Sequence, residues 1–395
     1  MALGSYDLSR KVLVTQASTR NGFVITYALG KMGVPVYCAD AAKYAQSRFS
    51  RFCRNYSTHP SPHVDPEGYF VSINRIIEKE NISLLFPAYD EMIFLAQNRH
   101  RLSRPEVLVC SQGDHVAMLH NKKELNSLCG KIGCNTPLTI ELTDAADIER
   151  VLEIIDFPFV LKPERGGGGW GVSFITNAKE LRAQWEAFDV EKHQNRLFIQ
   201  QYIKGALFGY GALCDKGTIL AGNCYHTVRQ YPIGRGTPSF RKGCVVEDIE
   251  SQAEKIFSHL GWTGVCQFDF LYSENDGKAY LIDANPRFWG STAHGLASGI
   301  NFPFLLYLLG TGQHHGSTVR RTGIDVTSLW FWGDLCVMLN RLRTEKGKLK
   351  ILNDHISTWI GAYYDDFKID DPLPFIFYPI QKLLSSRELS ESEGF

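Results

Sequence analysis

The 395-residue chain has no excess of either charge: Lys plus Arg and Asp plus Glu number 42 each. That balance argues against nucleic acid or an anionic membrane as a partner. No apolar run approaches the roughly 18 residues that span a bilayer, the longest being FPFLLYLLG around Phe304 to Leu309. The ten cysteines contain no CxxC pair, which argues against a zinc site and for reduced thiols, mostly small buried hydrophobes. MALGSYDLSRKVLVT enters a β-strand at once without a signal-peptide core, so a cytoplasmic location is expected. The turn after that strand, TQASTRNG, holds only Gly22 where a dinucleotide site needs GxGxxG. There is no Walker GxxxxGK[ST], no hydrolase triad and no internal repeat.

What is present is a globular composition, 44% hydrophobic, in a chain long enough for about two to four packed units. From the N-terminus, KVLVT, VPVYCAD, SLLFPAY and EVLVC read as strands. Between them NGFVITYALGKMG, EGYFVSINRIIEKEN and DEMIFLAQNRHRL read as helices, with an Arg- and Ser-rich basic loop after VPVYCAD. This rhythm predicts a doubly wound parallel α/β domain over residues 1–112. The pattern then changes to helices mixed with mainly antiparallel strands, an α+β unit in two halves, 113–196 and 197–312. Residues 313–395 form a C-terminal extension with an aromatic helix around SLWFWGDLCVMLNRL and a Pro-rich, finally polar tail.

The most telling stretch is a hairpin, CQFDFLY–SENDGK–AYLIDAN. A turn centred near Asp276 makes Asp269 face Asp283, Leu271 face Leu281 and Tyr272 face Tyr280. Period-two alternation puts Gln267, Asp269, Asp283 and Asn285 on one face, with Phe268, Phe270, Tyr272, Tyr280, Ile282 and Ala284 on the other. Like charges directly opposite each other destabilise a hairpin. Two carboxylates and an amide oxygen suit a hard cation such as Mg²⁺; the alternative is a solvated acidic face. Arg287 continues the alternation and suits a metal-bound phosphate.

Gly166, Gly167, Gly168 and Gly169 lie between two strands, after Lys162. Without Cβ atoms such a loop can press its N–H groups against phosphate oxygens. Lys122 and Lys123 open a helix where cations oppose the macrodipole. From Lys216 to Val246 there is no Asp or Glu, and the segment carries His226, Arg229, Arg235, Arg241 and Lys242. Either this segment pockets an anion, or it faces an acidic surface elsewhere in the chain.

Taken in order, these pieces resemble the ATP-grasp superfamily. The resemblance consists of Lys122 opening a helix that ends in G-x-x-x-P, the VLKP strand, the glycine loop, the hinge QQYIKG and the closing DANPR, and it covers about residues 121 to 309. FPAYDE, YIKG, RQYP and NPRFWGS resemble carbamoyl-phosphate-synthetase-like carboxylate–amine ligases. The resemblance implies a two-part ATP-grasp fold followed by a C-terminal helical extension. It implies Lys122 and Lys162 on the α- and β-phosphates, Gly166 to Gly169 over the β- and γ-phosphates, and Gln200, Gln201, Tyr202 and Ile203 around adenine. Asp269, Asp283 and Asn285 would hold Mg²⁺, with Mn²⁺ as a substitute, and Arg287 the transferring phosphate. The basic segment, through His226, Arg229 or Arg241, would hold substrate. The activity implied is an ADP-producing ligation of a small-molecule carboxylate to an amine; the alternatives are a small-molecule kinase and a non-catalytic nucleotide-binding regulatory module. A homodimer is compatible with the sequence. Two departures stand out: Gln at 200 and 201 where the hinge often has Glu, and Ala206 and Leu207 where a ribose-binding carboxylate is frequent.

Overall fold

The computed structural model of the chain describes residues 6–163, 171–187, 197–234, 236–314, 319–320 and 324–392. Gly166 to Gly169 and Arg235 lie outside the described residues. The first unit is a parallel sheet of β1 (Val12–Thr15), β2 (Val36–Asp40), β3 (Cys53–Thr58) and β4 (Leu84–Pro87), in the order β3-β2-β1-β4. β1 is fully buried, as a continuous VLVT run between helices requires. The order reverses direction between β1 and β4, and their carboxyl ends open a crevice there. Two expectations change. The basic loop contains the edge strand β3, whose CRNYST lacks apolar alternation because it lies partly exposed at the sheet edge. EVLVC is reduced to a 3₁₀ turn, Pro105–Val107, and a single Leu85–Leu108 bridge.

The helix Lys122–Ile132 is capped by the Asn121 side chain and closed by Gly133 at φ +68°. It leads into a small antiparallel sheet of β5 (Thr139–Leu142), β6 (Phe159–Pro163), β7 (Ser173–Ile175) and β8 (Leu197–Gln201), ordered β5-β8-β6-β7. The large sheet follows, from β9 (Gly205–Asp215), β10 (Thr218–Tyr231), β11 (Thr237–Cys244), β12 (Gly264–Ser273) and β13 (Ala279–Asn285). Its order is β13-β12-β9-β10-β11, all antiparallel, with the helix Glu247–Leu260 packed on it. β11 is a further correction, since YPIGRGTPSFRKG reads as loop. The architecture is thus a parallel α/β domain, a two-sheet unit and a helical C-terminal region.

The C-terminal region adds β14 (Val319–Arg320) beside β10, and β15 (Thr327–Leu329) and β16 (Tyr363–Tyr364) beyond β11. Its helices are Phe331–Thr344, Lys348–Trp359 and Leu373–Ser392, so the Pro-rich tail is helical with Pro379 inside. Here the basic segment finds its partners. Arg229 reaches Asp334 with Nε and Nη2 at 2.8 and 2.9 Å. Asp334 also accepts from Ser239 Oγ at 2.9 Å and Trp359 Nε1 at 2.7 Å, and lies 2.8 Å from His355 Nδ1. Arg241, fully buried, meets Asp365 at 2.6 Å, and Lys242 meets Asp325 at 2.8 Å. Burial raises the Asp334 pKa, but the His355, Arg229 and Trp359 contacts outweigh it and hold the carboxyl below its usual range. All ten cysteines are free thiols, seven of them buried.

Removing one partner of a buried ion pair strands the other. Arg229→Ala should therefore cost about 3–5 kcal/mol in denaturant unfolding. An unchanged midpoint and slope would show that the pair is dispensable to the fold.

Candidate active site

The hairpin brings Asp269 opposite Asp283 and Gln267 opposite Asn285. Beyond Asp269 the register slips by one: Phe270 pairs with Leu281, Leu271 with Tyr280 and Tyr272 with Ala279. The expected pairs Leu271–Leu281 and Tyr272–Tyr280 therefore do not form. The slip is a β-bulge at Ile282, where two residues oppose one. As a result Ile282, expected on the far face, joins Asp283 in lining a cavity of about 580 Å³, within the usual range for ligand sites. Its carbonyl accepts from Lys162 Nζ at 3.1 Å. No period-two reading shows such a bulge.

The cavity lies between the small and large sheets and reaches the β1/β4 crevice through Ser18 to Asn21 and Tyr89. Its floor is the inward face of β9, where Gly205, Leu207, Gly209 and Gly211 share one side, directly across from Ser273, Leu271, Asp269 and Gln267; Gly205 and Leu207 line the cavity. Gln267 ties the acidic group together: its Nε2 donates to Asp269 Oδ1 at 2.6 Å and its Oε1 accepts from Asn285 Nδ2 at 2.7 Å.

Three cations meet this group. Lys122, 7% exposed, turns its Nζ to within 3.4 Å of Asp283, while Lys123 points away to Glu141 at 2.6 Å. Lys162, 5% exposed, donates to Gln200 Oε1 at 2.9 Å. Gln200 thus grips a lysine with its side chain, while Gln201, Tyr202 and Ile203 line the cavity beside it. Arg287, 3% exposed, donates Nε to Asp90 Oδ1 at 2.5 Å and lies 3.9 Å from the Tyr89 ring centroid. Tyr89 and Asp90 belong to the FPAYDE segment, so the first domain holds this arginine in place.

Burial, then the Asp283 charge, push the Asp269 carboxyl up to about 7. Burial, then the Lys122 charge, push the Lys162 ammonium down to about 7, against the pull of Asp283. Without a ligand the group is electrostatically strained. Among the described residues no cluster of three or more His, Cys, Asp or Glu could hold a metal by itself. Two carboxylates and an amide are the donor set Mg²⁺ takes when phosphate oxygens and water complete its shell.

His226, Arg229 and Arg241 are not brought to the cavity. His226 packs its ring 5.1 Å from Phe208. The acidic surface that the two arginines face is Asp334 and Asp365, more than a hundred residues away in sequence. Among the lining residues that sequence reading missed are Ile282, Tyr89, Arg20, Trp289, Trp330 and Tyr378. Tyr89 alone had a signal, in FPAYDE.

The fold and this cavity place a cluster of charged side chains between two sheets. Residues 120–291 of the chain match the ATP-grasp domain family. It is 21% identical over 245 residues to the carbamoyl phosphate synthase large chain of Helicobacter pylori, covering 59% of this chain and 22% of that protein. It is 28% identical over 205 residues to the D-alanine–D-alanine ligase of Nitrosospira multiformis, covering 48% of this chain and 65% of that one. The chain therefore spans less than two thirds of the length of these relatives. The fold is shared with N5-carboxyaminoimidazole synthetase from Staphylococcus aureus, solved with ADP, at TM-score 0.67 and 14% identity over 86% of this chain and 87% of that one.

Lys162 makes a pH prediction. Its folded pKa lies below the unfolded value of 10.5, so its charge costs stability below about 7 and the cost fades as pH rises toward 10.5. Without nucleotide, Lys162→Met should melt above the wild type at about pH 6. The gain should shrink with rising pH and reverse near pH 10, roughly, where only the lost hydrogen bonds count. A pH-independent difference in thermal melts would contradict the buried-charge account.

Proposed function

We propose that the chain is an ATP- and Mg²⁺-dependent ligase that joins a small-molecule carboxylate to an amine and releases ADP and phosphate. The observation that carries this reading is the meeting of Asp269, Asp283 and Asn285 with Lys122, Lys162 and Arg287 in one cavity of about 580 Å³. The names of two of the similar proteins, a D-alanine–D-alanine ligase and an L-amino acid ligase, support it. In this reading the adenine lies against Gln200 to Ile203, and Lys122 and Lys162 hold the α- and β-phosphates. Bound Mg²⁺ supplies charge neutralisation on the phosphates. Arg287, held rigid by Asp90 and Tyr89, meets the transferring phosphate. A carboxylate oxygen attacks the γ-phosphorus and ADP leaves. The amine nitrogen then attacks the acyl carbon, phosphate leaves and the nitrogen loses a proton. The chain's part is alignment and electrostatics. The reading includes a cytosolic location; among the described residues no helix is long and apolar enough to cross a membrane.

Hydroxylamine offered with MgATP should intercept the acyl phosphate as the hydroxamate of the correct acid. Recovery of the γ-phosphate on an alcohol or amine product would replace the ligase with a kinase. ATP binding with no ADP release under any acid and amine mixture would leave only a regulatory module.

Asp283→Asn removes one carboxylate of the cation set and should lower kcat by about a hundredfold or more while the fold persists. Near-normal turnover at low millimolar Mg²⁺ would refute the metal assignment.

Leu207 lines the cavity where a carboxylate would otherwise hydrogen-bond the ribose. A site without that group is not left with an unpaired polar atom when the hydroxyl is missing. Hence 2′-deoxy-ATP should support turnover within about tenfold of ATP. Much stronger discrimination in steady-state kinetics would mean another residue reads the ribose.

A further inference from the structure

Beyond Asp269 the cavity wall is rich in aromatic side chains: Tyr225, Trp289, Trp330 and Tyr378. Two of its rings lie on the sheet itself. A Cβ at Gly209 would come within 2.2 Å of the Tyr225 ring, and one at Gly211 within 2.0 Å of the Trp289 ring. These glycines are seats for the two rings.

The other two rings come from beyond the ATP-grasp domain. Trp330 follows β15, and its amide donates to Ser239 O at 2.8 Å. The Arg20 guanidinium lies 4.2 Å from its ring centroid, and Arg20 Nη2 donates to Gly290 O at 2.5 Å. Tyr378 sits on the helix Leu373–Ser392, which is hooked to the first domain. Gln381 accepts from Gln46 N at 2.5 Å and donates to Ser18 O at 2.8 Å, and Phe377 stacks on Phe49 at 3.7 Å. Ser18 itself lines the cavity, so the helix is fixed to the loop it faces.

Polarity narrows the occupant further. Among the described lining residues the only carboxylates are Asp269 and Asp283, and both belong to the cation-binding end. A substrate ammonium lodged at the end beside Trp330 and Tyr378 would meet Arg20 and Lys382 and no lining carboxylate; Asp365 lies 3.8 Å from Arg20 Nη1 and is also paired with Arg241. The buried indole nitrogens of Trp289 and Trp330 have no hydrogen-bond partner, and both are donors. Flat walls, donors and cations suit a ring and repel an ammonium.

We propose, resting on the ligase reading above, that this end seats the carboxylic acid substrate, that the acid carries a flat aromatic group and no ammonium, and that Trp330 and Tyr378 determine this choice. The carboxylate of such an acid points toward Arg287 and the ring lies between the aromatic walls. The C-terminal region is then part of the specificity pocket.

The full chain is given MgATP and hydroxylamine with 3-phenylpropionate, propionate or phenylalanine, and hydroxamate is measured. 3-Phenylpropionate should exceed both others in kcat/KM by about tenfold or more. Trp330→Leu and Tyr378→Leu should each raise the KM for 3-phenylpropionate with the KM for ATP unchanged, and Trp330→Phe should recover most of the loss. Phenylalanine or propionate matching 3-phenylpropionate, or an unchanged acid KM in both leucine variants, overturns the proposal. A second measurement separates this from failure of the ligase reading: quenching of tryptophan fluorescence by 3-phenylpropionate with a non-hydrolysable MgATP analogue. Quenching that weakens in Trp330→Leu, without hydroxamate from any acid, keeps the pocket and removes the ligase. Absence of quenching together with absence of hydroxamate removes both.

Discussion

Asp269 and Asp283 face each other across two neighbouring strands, an arrangement a sheet resists unless something positive comes between. The rest of the cavity follows from that constraint. Lys122 is drawn to Asp283 from the start of its helix, against the macrodipole. Gln267 and Asn285 fill the space beside Asp269 with amide groups rather than further charge. Burial leaves Asp269 and Lys162 each driven toward its neutral form at about pH 7. In the proposed reading a polyanion with a divalent cation would resolve both strains at once, by giving the carboxylates a cation and the lysines an anion.

A second constraint holds the units in register. Arg287 is anchored on Asp90 and Tyr89, Arg229 and Arg241 on Asp334 and Asp365, and Gln381 on Gln46 and Ser18. Each contact joins parts of the chain far apart in sequence. β15 and β16 extend the large sheet, so the C-terminal region shares its hydrogen-bond ladder. Three distant segments thus close one cavity, and its shape depends on all of them.

Much of this was legible in the sequence where one short segment sufficed. The βα rhythm of the first domain, the Asn121-capped helix ending at Gly133, and the pairing of Asp269 with Asp283 are all local patterns. β3 and β11 escaped because a strand that is polar at an edge, or that mixes proline, basic residues and glycine as TPSFRKGC does, carries no alternation to read. The glycine loop falls outside the described residues.

The sequence by itself determined which residues could share a strand face, because side-chain alternation is a property of the backbone alone. Only the tertiary structure decided the bulge that turns Ile282 into the cavity, since a bulge depends on how two strands are held against their neighbours. It also decided the fate of the basic segment. A run without carboxylates reads equally as an anion pocket or as half of an ion-pair network. The choice depends on where Asp334 and Asp365 fold back, because a buried charge is satisfied by whichever partner long-range packing brings to it.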